Sequence, residues 1–250
     1  MDHKKVLKAN QDFYNFAAAD YRKNESYAYS NDIISHVTHI LNHCKKSAPT
    51  DGTFLDFGCG SGFLTEIVFK DKIFENVTGI DISQEQVKLY NKKFDHSNYQ
   101  ARVADIMNTG LESNSIDVAG CYSVLHHIYD YNAAIMEITR VLKPGGIFYC
   151  DFEPNRKFQE LMALPVKIRR RFINKSREGI DDLERIAEYH NTINPGIDMD
   201  SLTNWLNSNY EILDIGPRFP KTLSSIILKT CYNFNKAFAP CFYIVARKIK

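Results

Sequence analysis

The sequence predicts a single α/β domain built on an open sheet, because short apolar strands alternate with segments of helical periodicity. In the stretch Thr53–Gly62, a β-prone run ends in three glycines at alternate positions, and Phe63–Phe69 follows with helical spacing. A second apolar run, Val77–Asp81, ends in an acid about 20 residues after the glycines. Open α/β sheets bind nucleotides at glycine turns and acids placed in this way.

The composition fits a globular protein without a strongly charged partner. The chain has 250 residues, which is enough to form one substantial core. Its formal net charge is +1, and this nearly neutral charge does not predict a nucleic-acid or membrane partner. We expect no membrane span and no signal peptide, and therefore a cytoplasmic protein. The six cysteines form no Cys-x-x-Cys pair, which argues against a zinc cage and a disulfide framework.

The first 52 residues predict a helical cap in front of the first strand. Tyr14 and Tyr21 fall on one face of an aromatic-rich helix, which fits packing on the core. Ser30 is a typical N-cap residue for a second helix, which ends before the turn residues Pro49–Gly52.

Two acids mark the carboxyl ends of the second and third strands. Asp81 stands at the distance at which such folds place a carboxylate on ribose hydroxyls. Ser83 and Gln86 then have the spacing of a capping box for the next helix. Asp105 follows the predicted strand Tyr99–Val103, a position where an isolated aspartate is otherwise a turn or N-cap residue.

A pair of histidines follows the fourth strand, Ile116–Tyr122. Side chains of adjacent residues are expected to point in different directions, so we predict no metal site shared by His126 and His127 and a structural role for one of them. A neutral imidazole of the other, facing the pocket, would suit a proton acceptor.

The order of these features resembles that of the class I S-adenosylmethionine-dependent methyltransferases, in particular the small-molecule type 11 group. The acid-x-Gly-x-Gly-x-Gly pattern of Asp56–Gly62 is similar to their first motif and departs from the dinucleotide pattern Gly-x-Gly-x-x-Gly. The resemblance covers about Thr53–Phe152, including the Leu-Lys-Pro-Gly-Gly turn at 142–146. It implies a doubly wound, Rossmann-like sheet of seven strands, mostly parallel with strand seven antiparallel, and a helical lid insertion.

The same resemblance implies a site for S-adenosyl-L-methionine. Asp81 would bind the ribose and Ile82 would pack on adenine, while Asp105 would accept from the adenine amino group. The predicted cofactor-binding residues are Asp56, Gly58, Cys59, Gly60, Gly62, Asp81, Ile82, Asp105, Ile106, Tyr122 and Tyr21. The predicted catalytic residues are His126, His127 and Tyr14, and no metal ligand is predicted.

The predicted organisation is a cap (1–52), a cofactor-binding core (53–152), a lid (153–197) and a carboxyl-terminal part of the sheet with its own insertion (198–250). Because the cap and the two insertions can enclose a pocket, we predict methyl transfer to an O, N or C nucleophile of a small organic metabolite, by a monomer or homodimer. The basic run Arg169, Arg170 and Arg171 leaves open an RNA or protein substrate, or a mutually neutralised pair of lid helices. Because the sequence does not assign the base, a non-catalytic cofactor-binding regulator stays open, and the glycine turn leaves open an NAD oxidoreductase.

Overall fold

The structure is a computed structural model that describes residues 2–20, 23, 26–50, 52–163, 180–219 and 224–249. The described part of its amino-terminal region includes helix α1 (His3–Ala17), helix α2 (Asn31–Ser47) and a 3₁₀ turn at Ser26–Tyr29. The carboxylate of Asp2 accepts from the amide of Lys5 and so caps α1. Both helices lie before the first strand, in the segment that the sequence analysis assigns to a cap.

The seven strands form one sheet in the order β3-β2-β1-β4-β5-β7-β6. All neighbours are parallel except β7, which is antiparallel to both β5 and β6. The order reverses between β1 and β4, which opens a crevice at the carboxyl ends of these two strands. The predicted fold class is therefore confirmed. The strands are β1 Thr53–Phe57, β2 Asn76–Asp81, β3 Tyr99–Val103, β4 Ile116–Tyr122, β5 Leu142–Pro154, β6 Tyr210–Arg218 and β7 Cys241–Lys248.

Helices cover both faces of the sheet. One apolar core lies on the side of α5 and α9 and contains Ile138 and Leu202; the other lies on the side of α2, α3 and α4 and contains Leu41 and Leu64. Burial on both faces explains why β4 is an almost continuous apolar run. The remaining helices are α3 Phe63–Asp71, α4 Gln84–Lys93, α5 Tyr131–Val141, α6 156–163, α7 Ile180–Ala187, α8 Tyr189–Thr192, α9 Met199–Asn207 and α10 Ser224–Phe234.

The predicted capping box at the start of α4 forms only in part. The Ser83 hydroxyl accepts from the Gln86 amide at 3.2 Å, but the Ser83 amide donates to Asp81 at 2.8 Å. The Gln86 side chain is therefore not used in the box. Among the described residues its buried amide group has no hydrogen-bond partner.

The segment between β5 and β6 supplies α6, α7, α8 and α9. Of these, α7 packs against α1, so part of the lid region lies against the cap. Arg169, Arg170 and Arg171 lie outside the described residues, as does Tyr21. A search of the described helices found none with the length and apolar character needed to cross a membrane.

Candidate active site

A cleft of about 1190 Å³, its open mouth included, lies at the carboxyl ends of β1, β2 and β4, with α1 along one wall. Most of the predicted site residues line it. Gly62 and His126 do not, and Tyr21 lies outside the described residues. The predicted residues in the cleft wall are Asp56, Gly58, Cys59, Gly60, Asp81, Ile82, Asp105, Ile106, Tyr122, Tyr14 and His127.

The glycine turn presents bare backbone to the cleft. Gly60 has φ = 50°, and no described heavy atom lies within 4 Å of the position that its Cβ would take. Gly62 has φ = 88°, and a Cβ there would lie 2.4 Å from Cε2 of Phe94, the residue that follows α4. The third glycine therefore permits close packing of the turn against the end of α4, and its predicted contact with the cofactor stays a prediction. Burial raises the pKa of the intervening Cys59 thiol, consistent with an apolar filler.

Asp81 connects the glycine turn to the end of β2. Its Oδ2 accepts from the Gly60 amide and its Oδ1 from the Ser83 amide, both at 2.8 Å, and burial raises the pKa of the carboxyl. Each carboxylate oxygen has a second lone pair, so acceptor capacity is left for a ligand. Asp105 accepts from the Met107 amide at 2.9 Å and also lines the cleft, so it is at once a turn residue and a wall residue.

Asp56 lies deeper and holds the helix that follows the turn. Its Oδ2 accepts from the amide and the hydroxyl of Thr65, at 3.1 and 2.6 Å, and the Tyr90 hydroxyl donates to the same threonine. Burial raises the pKa of Asp56 to about 7, against the opposing effect of the Thr65 hydrogen bonds. The motif acid therefore ties β1 to α3 at the floor of the cleft.

His127 faces the cleft beside Tyr14 of α1. The Tyr14 hydroxyl lies 3.0 Å from Nε2 and 3.2 Å from Nδ1 of the imidazole, and Nδ1 lies 3.1 Å from the carbonyl oxygen of Ala187. Asn10 donates to the His127 carbonyl at 2.8 Å, which fixes α1 over the histidine. Burial, together with the neighbouring His126, lowers the pKa of His127 to about 4. When Nδ1 carries the proton and donates to the carbonyl oxygen of Ala187, the lone pair of Nε2 can accept a hydrogen bond.

His126 lies behind His127 and is buried. Its Nδ1 is 2.9 Å from Oε2 of Glu153, whose carboxylate also accepts from the amides of Val124, Leu125 and His126. Glu153 therefore shapes the 3₁₀ turn Leu125–His127 in which both histidines lie.

The two imidazole rings do not diverge as predicted, since their centroids are only 3.9 Å apart. The alternation expected of a strand does not apply within a single 3₁₀ turn. Ligand atoms of His126, His127 and Glu188 lie within 4.8 Å of one another, a spacing that a divalent cation could bridge. The expected divergence of the rings, which argued against a shared metal site, is therefore wrong. In the structure, Nδ1 of His126 lies 2.9 Å from Glu153. The Glu188 carboxylate lies 3.7 Å from Nε2 of His126 and 3.6 Å from Nδ1 of His127.

Three further residues complete the site and were not selected as functional from the sequence. Asn10 is four residues before Tyr14, so both lie on one face of α1, and this spacing could have identified it. Gln86 was assigned only to a cap, yet it lines the cleft. Glu188 lies in the lid and contacts the histidine pair. No local sequence pattern predicts this contact.

The comparisons with known proteins agree with this geometry. Residues 55–150 match the family of methyltransferase domains. This segment of the chain is therefore a methyltransferase domain of the class I, S-adenosylmethionine-dependent type. Demethylmenaquinone methyltransferase of Staphylococcus haemolyticus is 33% identical over 126 residues, covering 48% of this chain and 53% of that protein. Ubiquinone biosynthesis O-methyltransferase of Idiomarina loihiensis is 32% identical over 119 residues, covering 43% and 47%. The chain spans about half or less of the length of the curated relatives that it matches.

A solved methyltransferase has the same fold over most of the chain. Geranyl diphosphate C-methyltransferase of Streptomyces coelicolor superposes with a TM-score of 0.59 over 92% of this chain and 85% of that chain, at 18% identity. It was crystallised with Mg²⁺, geranyl diphosphate and S-adenosyl-L-homocysteine. At this identity, the comparison concerns the fold alone.

The residues of the cleft fit S-adenosylmethionine, the cofactor of this class. Gly60 offers an uncovered backbone, and Asp81 and Asp105 offer acceptors to hydroxyl and amino groups. Ile82 and Ile106 supply apolar wall. The buried Gln86 amide lines the same cleft without a partner in the described part of the chain, which is the state expected of a side chain that binds a polar ligand.

Proposed function

We propose that the protein transfers a methyl group from S-adenosylmethionine to an O, N or C nucleophile of a small organic molecule. The observation that carries this proposal is the placement of the Tyr14–His127 pair in the wall of the cleft that also contains Gly60 and Asp81. Because α1 covers one side of this cleft, the space suits a small acceptor. The two quinone-biosynthesis relatives, whose names describe methylation of small molecules, support the same class.

In this proposal the cofactor supplies an electrophilic methyl group, and the chain binds, orients and dehydrates the reactants. Tyr14 and His127 hold the acceptor by hydrogen bonds, with α1 excluding water from above. An imidazole whose pKa is lowered to about 4 is neutral near pH 7 but is a weak base. The pair is therefore suited to receive a proton from an acidic hydroxyl, such as a phenol or enol, rather than from an alkyl amine or alcohol.

The test is methyl transfer from radiolabelled S-adenosylmethionine to a panel of phenols, enols, amines and alcohols. We expect activity on acidic hydroxyls, with kcat reduced at least about 10-fold by Tyr14→Phe and by His127→Asn. Both variants should bind S-adenosylhomocysteine as the wild type does. His43→Asn is the matched control, because His43 is exposed on α2 outside the cleft.

Each competing function has its own outcome. Transfer only to RNA or protein would replace the small-molecule assignment. Cofactor binding without transfer to any acceptor would favour a regulator. Wild-type turnover in both cleft variants would show that Tyr14 and His127 do not act on the acceptor.

A further inference from the structure

A second group of polar side chains lies where β4, β5 and β6 end, beyond the wall residue Tyr122. It is organised around the carboxylate of Asp151, which is fully buried. The Arg218 Nε lies 2.9 Å from Asp151 Oδ1, and His36 Nε2 lies 3.7 Å from its Oδ2. None of these groups takes part in the cofactor cleft, except that the Tyr122 ring belongs to both.

Several atoms of this group are buried without a hydrogen-bond partner among the described residues. They are Nε2 of His36, Nε and Nη2 of Arg218 and the Tyr122 hydroxyl. Arg218 and Tyr122 also interact with each other: burial raises the pKa of the phenol, and Arg218 opposes this effect. A buried donor left unpaired costs about 1–3 kcal/mol, so a cluster of such donors indicates a place for a ligand. The Asp151 carboxylate, by contrast, has hydrogen-bond partners within the protein. It accepts from the Tyr149 hydroxyl and the Phe152 amide at 2.7 and 2.6 Å.

The pair with Asp151 orients Arg218 without using its whole guanidinium. The Asp151 carboxylate accepts from Tyr149 and from the Phe152 amide, and it forms an ion pair with Nε of Arg218. None of these contacts uses Nη2 of the arginine. The Arg218 guanidinium lies 6.0 Å from the centroid of the Phe152 ring, which in turn stacks on Tyr122 at 5.6 Å. The Phe152 ring therefore lies between the Arg218 guanidinium and Tyr122, which lines the cleft.

The backbone between the two regions is strained. Phe152 has φ = 62° and Ser123 has φ = 58°, both in the left-handed region although neither is a glycine. The two residues are joined across the strand ends by a hydrogen bond from the Ser123 amide to the Asp151 carbonyl at 2.8 Å. Strain of this kind is retained where surrounding structure fixes a functional geometry.

We propose that Arg218, Tyr122 and His36 form a subsite for the acidic group, a carboxylate or phosphate, of the methyl acceptor. An arginine can only donate, and a phenol and an imidazole can each donate as well, so the ligand group is an acceptor that carries negative charge. The subsite borders the cofactor cleft through Tyr122. It would therefore bind the acidic group of the acceptor at a distance from the atom that is methylated. The identity of the ligand as methyl acceptor rests on the proposed function.

Binding is tested first, without turnover. Benzoate and phenyl phosphate are titrated calorimetrically into the full chain saturated with S-adenosylhomocysteine, and benzamide serves as the uncharged probe. We expect one or both anions to bind and benzamide not to bind. The dissociation constant should rise about 10- to 100-fold in Arg218→Gln and by a smaller factor in Tyr122→Phe. Binding by benzoate alone assigns a carboxylate, and binding by phenyl phosphate alone assigns a phosphate.

Two controls keep the result interpretable. Arg247→Gln removes an arginine that is paired with Glu211 at the surface, and it should leave anion binding unchanged. Tyr122→Phe removes only a hydroxyl, so it serves if Arg218→Gln fails to fold. Its affinity for S-adenosylhomocysteine shows whether the cofactor site has also changed.

The subsite is overturned if neither anion binds, if benzamide binds as well as benzoate, or if both variants bind the anions with wild-type affinity. Where an acceptor is known, Tyr122→Phe should raise KM for the acidic acceptor. Anion binding that is lost in the variants while no acceptor is methylated would support the subsite and refute the proposed function.

Discussion

Replacing Asp56 by Asn should remove a pH dependence from the stability of the cofactor-free protein. Burial raises the pKa of Asp56 to about 7 in the folded state, from an ordinary value of 3.8. Oδ2 of this side chain accepts two hydrogen bonds from Thr65. An asparagine carbonyl can accept the same two bonds, so the substitution removes the titration and keeps the connection between β1 and α3.

The sign follows from proton binding. Between pH 3.8 and about 7 the folded state holds a proton that the unfolded state releases, so the free energy of unfolding falls as pH rises through this window. A shift of about 3 pKa units, at about 1.36 kcal/mol each, gives at most about 4 kcal/mol. Relative to the wild type, the Asn variant should therefore gain stability by up to about this amount between pH 4 and pH 8.

Urea unfolding at several pH values measures the difference, with fluorescence of Trp205, the only tryptophan of the chain, as the probe. Asp12→Asn, at the surface of α1, controls for an Asp-to-Asn change outside the core. If the free energies of Asp56→Asn and of the wild type run parallel across the whole pH range, the buried carboxyl does not titrate as argued.

Three other changes separate the contributions of the site and the core. Asp81→Asn should weaken S-adenosylhomocysteine binding about 10- to 100-fold, as measured by calorimetry. Asp71→Asn, which lies outside the cleft, should not weaken it. An affinity of Asp81→Asn equal to that of the wild type would refute the ribose contact. Gly62→Ala should destabilise by about 1–3 kcal/mol in urea, because its Cβ would meet the Phe94 ring just after α4. The loss should exceed that of Gly60→Ala, whose Cβ meets no described atom. Ile138→Ala should lose about 2–5 kcal/mol, and a loss below about 1 kcal/mol would contradict its place in the core.

Local patterns were sufficient to predict most of the sheet. The bounds predicted for Tyr99–Val103 and Ile116–Tyr122 are those observed, because a short apolar run between turn residues has few other ways to bury itself. The predicted wall of the cleft follows from the same logic, since parallel strands bring their carboxyl ends to one edge. The resemblance supplied the number of strands and the antiparallel β7, which periodicity alone does not determine.

The contacts that complete the site depend on residues distant in the chain. Glu188 meets His127 only because the lid returns against α1, about which the local sequence gives no signal. The environment of Arg218 depends on Asp151, which lies two strands away in the sheet. The expected divergence of the histidine rings was wrong because a strand pattern was applied to a 3₁₀ turn.

The buried acids at the strand ends shape the backbone as well as the chemistry. Asp81 holds the Gly60 amide, and Glu153 holds three amides of the histidine turn. Loss of activity on removing such an acid therefore does not by itself show contact with a ligand, because the turn that presents other ligand-binding groups would also be released. An amide variant retains one acceptor oxygen, so it can keep one of the two roles. Comparing Asp81→Asn with Asp81→Ala in hydrogen exchange of the Gly60 amide and in cofactor affinity separates the hold on the turn from the contact with ribose.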